Sequence, residues 1–373
     1  MRRLGVPALI PALLTIPALA LTLPASTAAQ PQAAAGPNPF RDGWSETVVD
    51  ADQNFRGLEA VSKREAWVTG ESLTDDGPAR VFRTTDRGQT WTDVSPDGTD
   101  GLSFRDVEVH GSVAHVLAIG PGEASRIYRS TDGGASWDES FRNTDEKAFY
   151  DCMAFYGKGK HGLAVSDPVA GKLRILATSD HGRSWSVLSD KGMPRSKGEF
   201  GFAASGTCLI TAGDKDAWIA SGGAAARVFH TDDRGVTWTV TDTPVRRSDA
   251  GGIFSLAVRN TQTLVAVGGD FEKPNARKDT SARSEDGGAT WTKGGKLGGY
   301  RSGSAFLPRT AATGSPSTGV IAVGPTGTDV SYDVGVTWKS VEKGSLDSVE
   351  CTRDGACWAS GSDGRVALLR GLK

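Results

Sequence analysis

No basic excess marks this 373-residue sequence for a nucleic-acid partner: 42 Lys and Arg stand against 44 Asp and Glu, a formal net charge of -2. After residue 30 no long stretch repeats its apolar residues at a period of 3.6, which excludes a helical architecture, and no hydrophobic run is long enough to span a membrane as a helix. Histidine is scarce. The five residues His110, His115, His161, His181 and His230 are dispersed, with no Cys/His spacing that suits zinc. A Gly-x-Ser-x-Gly elbow and a Walker loop are both missing. Gly157-Lys158-Gly159-Lys160-His161-Gly162 matches Gly-x-Gly-x-x-Gly, but it reads as a strand-to-strand hairpin with no helix behind it to hold a pyrophosphate. No metal and no cofactor is therefore expected.

What is plentiful is glycine, at 48 residues, and tryptophan, at 10, in a chain that is 38% hydrophobic and long enough to bury a large core. Turns and short strands must dominate. The N-terminus stands apart. Met1-Arg2-Arg3 and an apolar run from Leu4 to Leu23 precede the small residues Ala25, Ser26, Thr27, Ala28 and Ala29, the order of a secretory signal cleaved after Ala28 or Ala29. The alternative, a membrane anchor, sits poorly with Pro7, Pro11, Pro17 and Pro24 inside the run. The expected organisation is a signal peptide over 1–29, a flexible Ala/Pro/Gln-rich leader over 30–42, and one domain over 43–373. The mature chain is expected to be secreted or extracytoplasmic and monomeric, by an export route that the arginine pair alone does not specify.

Self-alignment finds six copies of Ser/Thr-x-Asp-x-Gly-x-Ser/Thr-Trp, centred on Asp86, Asp132, Asp180, Asp233, Asp286 and Asp333, with steps of 46, 48, 53, 53 and 47 residues. Each period holds three alternating strands (Phe104 to Val109, Ala114 to Ile119 and Arg126 to Ser130 in one of them), then the motif, then a fourth strand starting at its Trp. Named a to d, these are the strands of one propeller blade, and the motif is the c-to-d hairpin. Its Asp suits backbone N–H groups across the turn, its Gly a positive φ, and its Trp the cover of neighbouring strands. After the last motif, 345–370 supplies three strands, whereas the mature N-terminus begins with an orphan strand, Trp44 to Val49. The expected fold is an all-β, seven-bladed β-propeller of four-stranded blades whose last blade the N-terminal strand closes, leaving no open edge. Six or eight blades are the alternatives.

The motifs resemble the Asp-box (BNR) repeats of sialidases, sortilin-type receptors and photosystem II stability/assembly factor-like proteins, and the single-domain layout is most similar to the last group. Phe149-Tyr150-Asp151, Ser166-Asp167-Pro168, Phe202 to Thr207 and Gly268-Gly269-Asp270 resemble its secreted bacterial members. The resemblance spans about residues 43 to 370. It implies a propeller, and through that family's arginine-lined docking face it favours a binding role.

Four cysteines in an exported chain should pair. Cys351 and Cys357 flank the Asp354-Gly355 turn, so a hairpin bridge is expected there. Cys152 and Cys208 align at the same position of strand a in adjacent repeats and are expected to bridge them, two buried free thiols being the alternative.

Strand direction places the b-to-c and d-to-a loops on the face opposite the motifs, and that face carries the long insertions 71–80, 189–205, 243–253 and 268–281. Repeat alignment puts Arg56, Arg105, Asp151, Thr207, Phe254, Arg301 and Asp347 around the mouth of the central channel, next to Tyr150 and Tyr300. Three converging guanidiniums would make an anion or carboxylate site, whereas pairing with neighbouring acids would make them ring fasteners. The candidate ligand-binding set is Arg56, Arg105, Tyr150, Asp151, Asp167, Asp270, Tyr300 and Arg301. The expected function is an exported binding or assembly-type scaffold for a protein partner or an anionic or glycan ligand. The alternative is an exo-sialidase-like glycoside hydrolase at the same pocket, which would draw on these carboxylates, on Glu199 or on a tyrosine; the Arg-Ile-Pro tripeptide of sialidases is missing. A purely structural module is disfavoured by the one-sided loops.

Overall fold

The computed structural model describes residues 43–308 and 318–370. Regular structure within them is all strand apart from two 3-10 turns, Gly122–Ala124 and Asp190–Gly192. The expected signal peptide and leader lie outside the described residues. Among the described residues, no helix is long and apolar enough to cross a membrane.

Alternating sequences make the strands. In Ser103–His110, Phe104, Val107 and Val109 are buried while Glu108 and His110 are less so. This strand pairs with Val113–Ile119, which pairs with Arg126–Ser130, which pairs with Asp138–Arg142, all antiparallel. The same four-strand run recurs along the chain, for instance Leu209–Ala212, Asp216–Ala220, Arg227–Thr231 and Thr239–Asp242. At the end, Ser348–Cys351, Cys357–Ser360 and Arg365–Leu369 supply three strands, and the fourth is the N-terminal Trp44–Val48, with Trp44 opposite Leu369.

The first strands of these runs touch in a closed cycle: Gln53–Ala60, Ser103–His110, Tyr150–Phe155, Leu209–Ala212, Gly251–Val258, Gly303–Phe306, Ser348–Cys351 and back to Gln53–Ala60. The core lies between successive sheets. One cluster combines Trp67 and Val81 of one run with Phe104, Val116 and Tyr128 of the next. Trp137 belongs to that cluster, meets Trp67 edge-on at 6.5 Å and donates to the Val94 carbonyl. The motif tryptophan thus bolts its own sheet to the preceding one.

In the turn after Arg80–Thr84, Asp86 accepts from the Thr90 amide at 2.9 Å and from the Thr90 hydroxyl at 2.6 Å, and the Gly88 amide donates to Thr84 Oγ1. Hydrogen bonds from Thr90 hold the Asp86 carboxyl down at about 2. Left-handed backbone falls on Gly88 (φ 76) and also on the preceding Arg87 (φ 72). The equivalent of Arg87 is Gly133 or Gly287 in two other turns and Val334 in a third.

Both cysteine pairs are bonded, and no free cysteine remains. Cys152 and Cys208 join two neighbouring inner strands with Cα atoms 6.0 Å apart, so the free-thiol alternative is set aside. Cys351–Cys357 closes a hairpin. These bonds fit an oxidising environment. Replacing Cys152 and Cys208 together by Ser removes a link across 56 residues, a loss of about 4 kcal/mol in the chain-entropy account. The same change at Cys351 and Cys357, separated by 6, costs about 2 kcal/mol. Urea denaturation of the two double variants should return that order.

Candidate functional site

Where the inner strands begin, their ladders skip a residue. The register shifts between Phe55 and Gly57, between Phe104 and Asp106, between Tyr150 and Cys152, and between Ile253 and Ser255. The skipped residues are Arg56, Arg105, Asp151 and Phe254. A bulge frees a residue from the alternation and re-aims its side chain. Three of the four, Arg56, Arg105 and Phe254, line a cavity of about 580 Å³ at one end of the ring of strands, together with Phe202, Ala203, Ala204, Phe271, Pro274, Tyr300, Pro325, Ser345, Asp347 and Ser362.

One wall is charged. Arg56 pairs with Asp347 at 3.1 Å and Arg105 with Glu71 at 2.6 Å. Each pair joins two successive runs. Burial penalises Glu71 as an ion, but Arg105 and hydrogen bonds from Ser103 and Asn54 hold its carboxyl below the usual range. Burial raises Asp347, against the pull of Arg56 and Arg105. Asp347 is only 2% exposed, and its Oδ2 and the Nε of Arg56 meet no hydrogen-bond partner.

The other wall is aromatic. Phe202 stacks on Phe254 at 4.1 Å, Tyr300 meets Phe254 edge-on at 4.6 Å, and Phe271 stands edge-on to Phe202 and Phe254 at 6.4 and 6.3 Å. Phe271 remains 49% exposed. A Cβ on Gly222 would lie 2.1 Å from the Phe202 ring, so that glycine makes room for the stack.

The floor is the segment 201–207, which reaches across the end of the channel. Gly201 N donates to Asp167, Ser205 Oγ donates to the Ser302 carbonyl, and Thr207 Oγ1 donates to Ser255. Gly206 lies so close to Asp106 that a Cβ would meet its Oδ1 at 2.5 Å. Asp167 lies on the second strand Gly162–Val169, while Ser302, Ser255 and Asp106 each belong to a different inner strand or its approach, so the segment closes the cavity below.

The remaining predicted residues are elsewhere. Arg301 is 1% exposed, salt-bridged to Asp329 at 2.8 Å and bonded to the Tyr300 carbonyl and Thr326; it does not join Arg56 and Arg105. Tyr150 is in the core, edge-on to Phe141, and burial pushes its hydroxyl up to about 12. Asp270 is buried and accepts from Ser248 Oγ, with Arg246 at 3.6 Å. Asp151 and Asp167 form a pair. Burial and the Asp167 carboxyl raise Asp151 well above the usual range, while burial raises Asp167 to about 6. Asp151 Oδ2 meets no N–H or O–H donor, as suits a protonated carboxyl that itself donates to Asp167. Glu199 is engaged by Arg227 and Ser221. Phe202, Phe271, Pro274 and Glu71 were not among the expected site residues, although all four fall within the long insertions.

Below the floor, Glu59, Asp106, Glu108 and Glu350 gather from three consecutive inner strands. Each glutamate accepts from a backbone amide of the next strand: Val109 for Glu59, Phe155 for Glu108 and Ala60 for Glu350. Burial raises all four, Glu350 to about 7, and mutual repulsion adds to the effect on Glu59, Glu108 and Asp106. Among the described residues, no group of three or more His, Cys, Asp or Glu is placed to hold a metal.

No protein-family model matches the chain, and no curated protein matches it. Solved structures do. YCF48 bound to a D1 peptide superposes with a TM-score of 0.58 at 16% identity, over 88% of this chain and 95% of that one. YCF48 from Cyanidioschyzon merolae gives 0.57 at 16% identity over 88% and 99%. The WD40 beta propeller domain of Doa1 gives 0.57 at 13% identity over 88% and 96%. The fold is a β-propeller. The cycle of first strands is then the inner ring, and the cavity is the mouth of its channel.

The raised channel carboxyls carry a pH signature. An acid whose folded pKa exceeds its unfolded value stabilises the fold below the unfolded pKa, and that stabilisation is lost as pH rises through the folded pKa. For Glu350 the window runs from 4.5 to about 7. The variant Glu350→Gln, which keeps an acceptor for the Ala60 amide, should match the wild type in urea stability near pH 4.5 and exceed it at pH 8.

Proposed function

We propose that the chain is an exported, seven-bladed Asp-box propeller that binds a segment of a partner protein at the channel mouth. Supporting the blade count are the closed cycle of inner strands and the pairing of Trp44–Val48 with Arg365–Leu369. Supporting the Asp-box assignment is the repeated hydrogen bond from the closing Ser or Thr amide to the Asp carboxylate, as at Asp132, Asp180, Asp233, Asp286 and Asp333. Export rests on the N-terminal sequence, with cleavage near Ala28 or Ala29, and on the two disulfides.

The observation that carries the binding reading is the mouth itself: a cavity of about 580 Å³ with an aromatic wall, a polar wall and a closed floor. Recognition sites are concave, mostly apolar and furnished with a few placed polar groups. YCF48, of the same fold, has been solved with a D1 peptide bound. In this reading Arg56, Arg105 and Tyr300 line the site. Asp167, through Gly201, sets the floor, and Asp151 supports Asp167. Asp270 and Arg301 shape the surrounding loops, and Tyr150 packs the wall beneath. No observation favours the glycoside hydrolase alternative: the arginines are paired with acids, and Tyr150 and Tyr300 are buried.

The test is selection of a random peptide display library on the immobilised protein, starting at Gln30, with affinities read by fluorescence anisotropy. Phe271→Ala removes an exposed wall residue and should leave the melting temperature unchanged while weakening selected peptides by at least about tenfold, the loss of one good interface anchor. Enriched peptides that bind this variant as well as the wild type would overturn the proposal.

A further inference from the structure

Although two arginines line the mouth, its charged wall sums to neutrality. Arg56 faces Asp347 and Arg105 faces Glu71, two cations against two anions, all at least half-buried. An anion entering here would leave water without meeting an uncompensated positive charge, and a buried charge that lacks a partner is strongly unfavourable. The third arginine, Arg301, is held by Asp329 and lies outside the lining.

The pairing also uses up the wall's polar atoms: Arg56 Nη1 and Asp347 Oδ1 meet at 3.1 Å, and Asp347 Oδ2 and Arg56 Nε are buried out of reach of anything in the mouth. Opposite stands a wall of Phe254, Phe271, Tyr300, Pro274 and Pro325, suited to an apolar or aromatic side chain. The floor 202–204 stops anything from threading into the channel, so the cavity takes an anchor and not a through-running strand.

We infer that the mouth recognises an uncharged, apolar or aromatic anchor residue within a peptide segment, its side chain set against the phenylalanine wall and away from the cancelled charges. This rests on the binding reading above and specifies its ligand. Acidic side chains and free C-terminal carboxylates are disfavoured because Glu71 and Asp347 already occupy the arginines.

Two display libraries test it, one presenting internal peptides and one presenting free C-termini, each selected on the wild type and on the Glu71→Gln/Asp347→Asn double variant. The wild type should enrich internal peptides that share Phe, Trp, Leu or Ile at one position, and replacing that residue by Glu should lower affinity at least tenfold. The double variant, checked by its melting temperature, unmasks both arginines. It should bind the Glu-substituted peptides at least tenfold better than the wild type does, with an affinity that falls as salt rises. Wild-type enrichment of acidic or C-terminal peptides, abolished by Arg56→Ala, would overturn this inference and leave mouth binding standing. No enrichment from either library would remove both.

Discussion

The mouth depends on ring closure. Each inner strand packs against two others, and the cycle is complete only because Trp44–Val48 pairs with Arg365–Leu369 at the sheet that would otherwise end in an open edge. Tryptophans carry the packing outward from that ring. Trp91 meets Trp358 edge-on at 6.1 Å and Trp137 meets Trp67 at 6.5 Å, each spanning two sheets. With the sheets held so, residues far apart in sequence, such as Arg56 and Asp347, come within 3.1 Å at the axis.

Around that axis the same strand positions do different work at different depths. At the mouth, bulges turn Arg56, Arg105 and Phe254 out of the ladder. Three residues deeper, Glu59, Glu108 and Glu350 accept amides from the next strand, so the acidic channel fastens neighbouring strands and holds protons that an unfolded chain would release. Between the two levels lies the segment 201–207, whose glycines allow close approach to Asp151 and Asp106. It separates the apolar mouth from the acidic channel. The Asp151–Asp167 pair is its support, with Asp167 receiving the Gly201 amide.

Much was legible from the residues. Alternation located Ser103–His110, Val113–Ile119 and Arg126–Ser130 to within about two residues, repeat alignment anticipated the Cys152–Cys208 bond and the flanked turn the Cys351–Cys357 bond, and the orphan N-terminal strand found its partner. These features rest on local periodicity and on equivalence between repeats, and both survive in a linear sequence. The site was legible only as a set of positions. Alignment named Arg56, Arg105, Phe254, Arg301 and Asp347 together, yet Arg301 turned inward to Asp329 while Arg105 took Glu71 from a long insertion outside the aligned set. The aromatic wall was scattered over 202–271 in segments with no common spacing.

The sequence by itself determined the all-β class, the positions of the strands and the chemistry of the turns, because backbone alternation, positive φ and hydrogen-bonding side chains act over a few residues. Tertiary structure alone decided which charges cancel at the mouth. Coulomb interactions and desolvation depend on distance and burial, and both were set when the ring closed and brought Asp347 to Arg56 and Phe202 to Phe254.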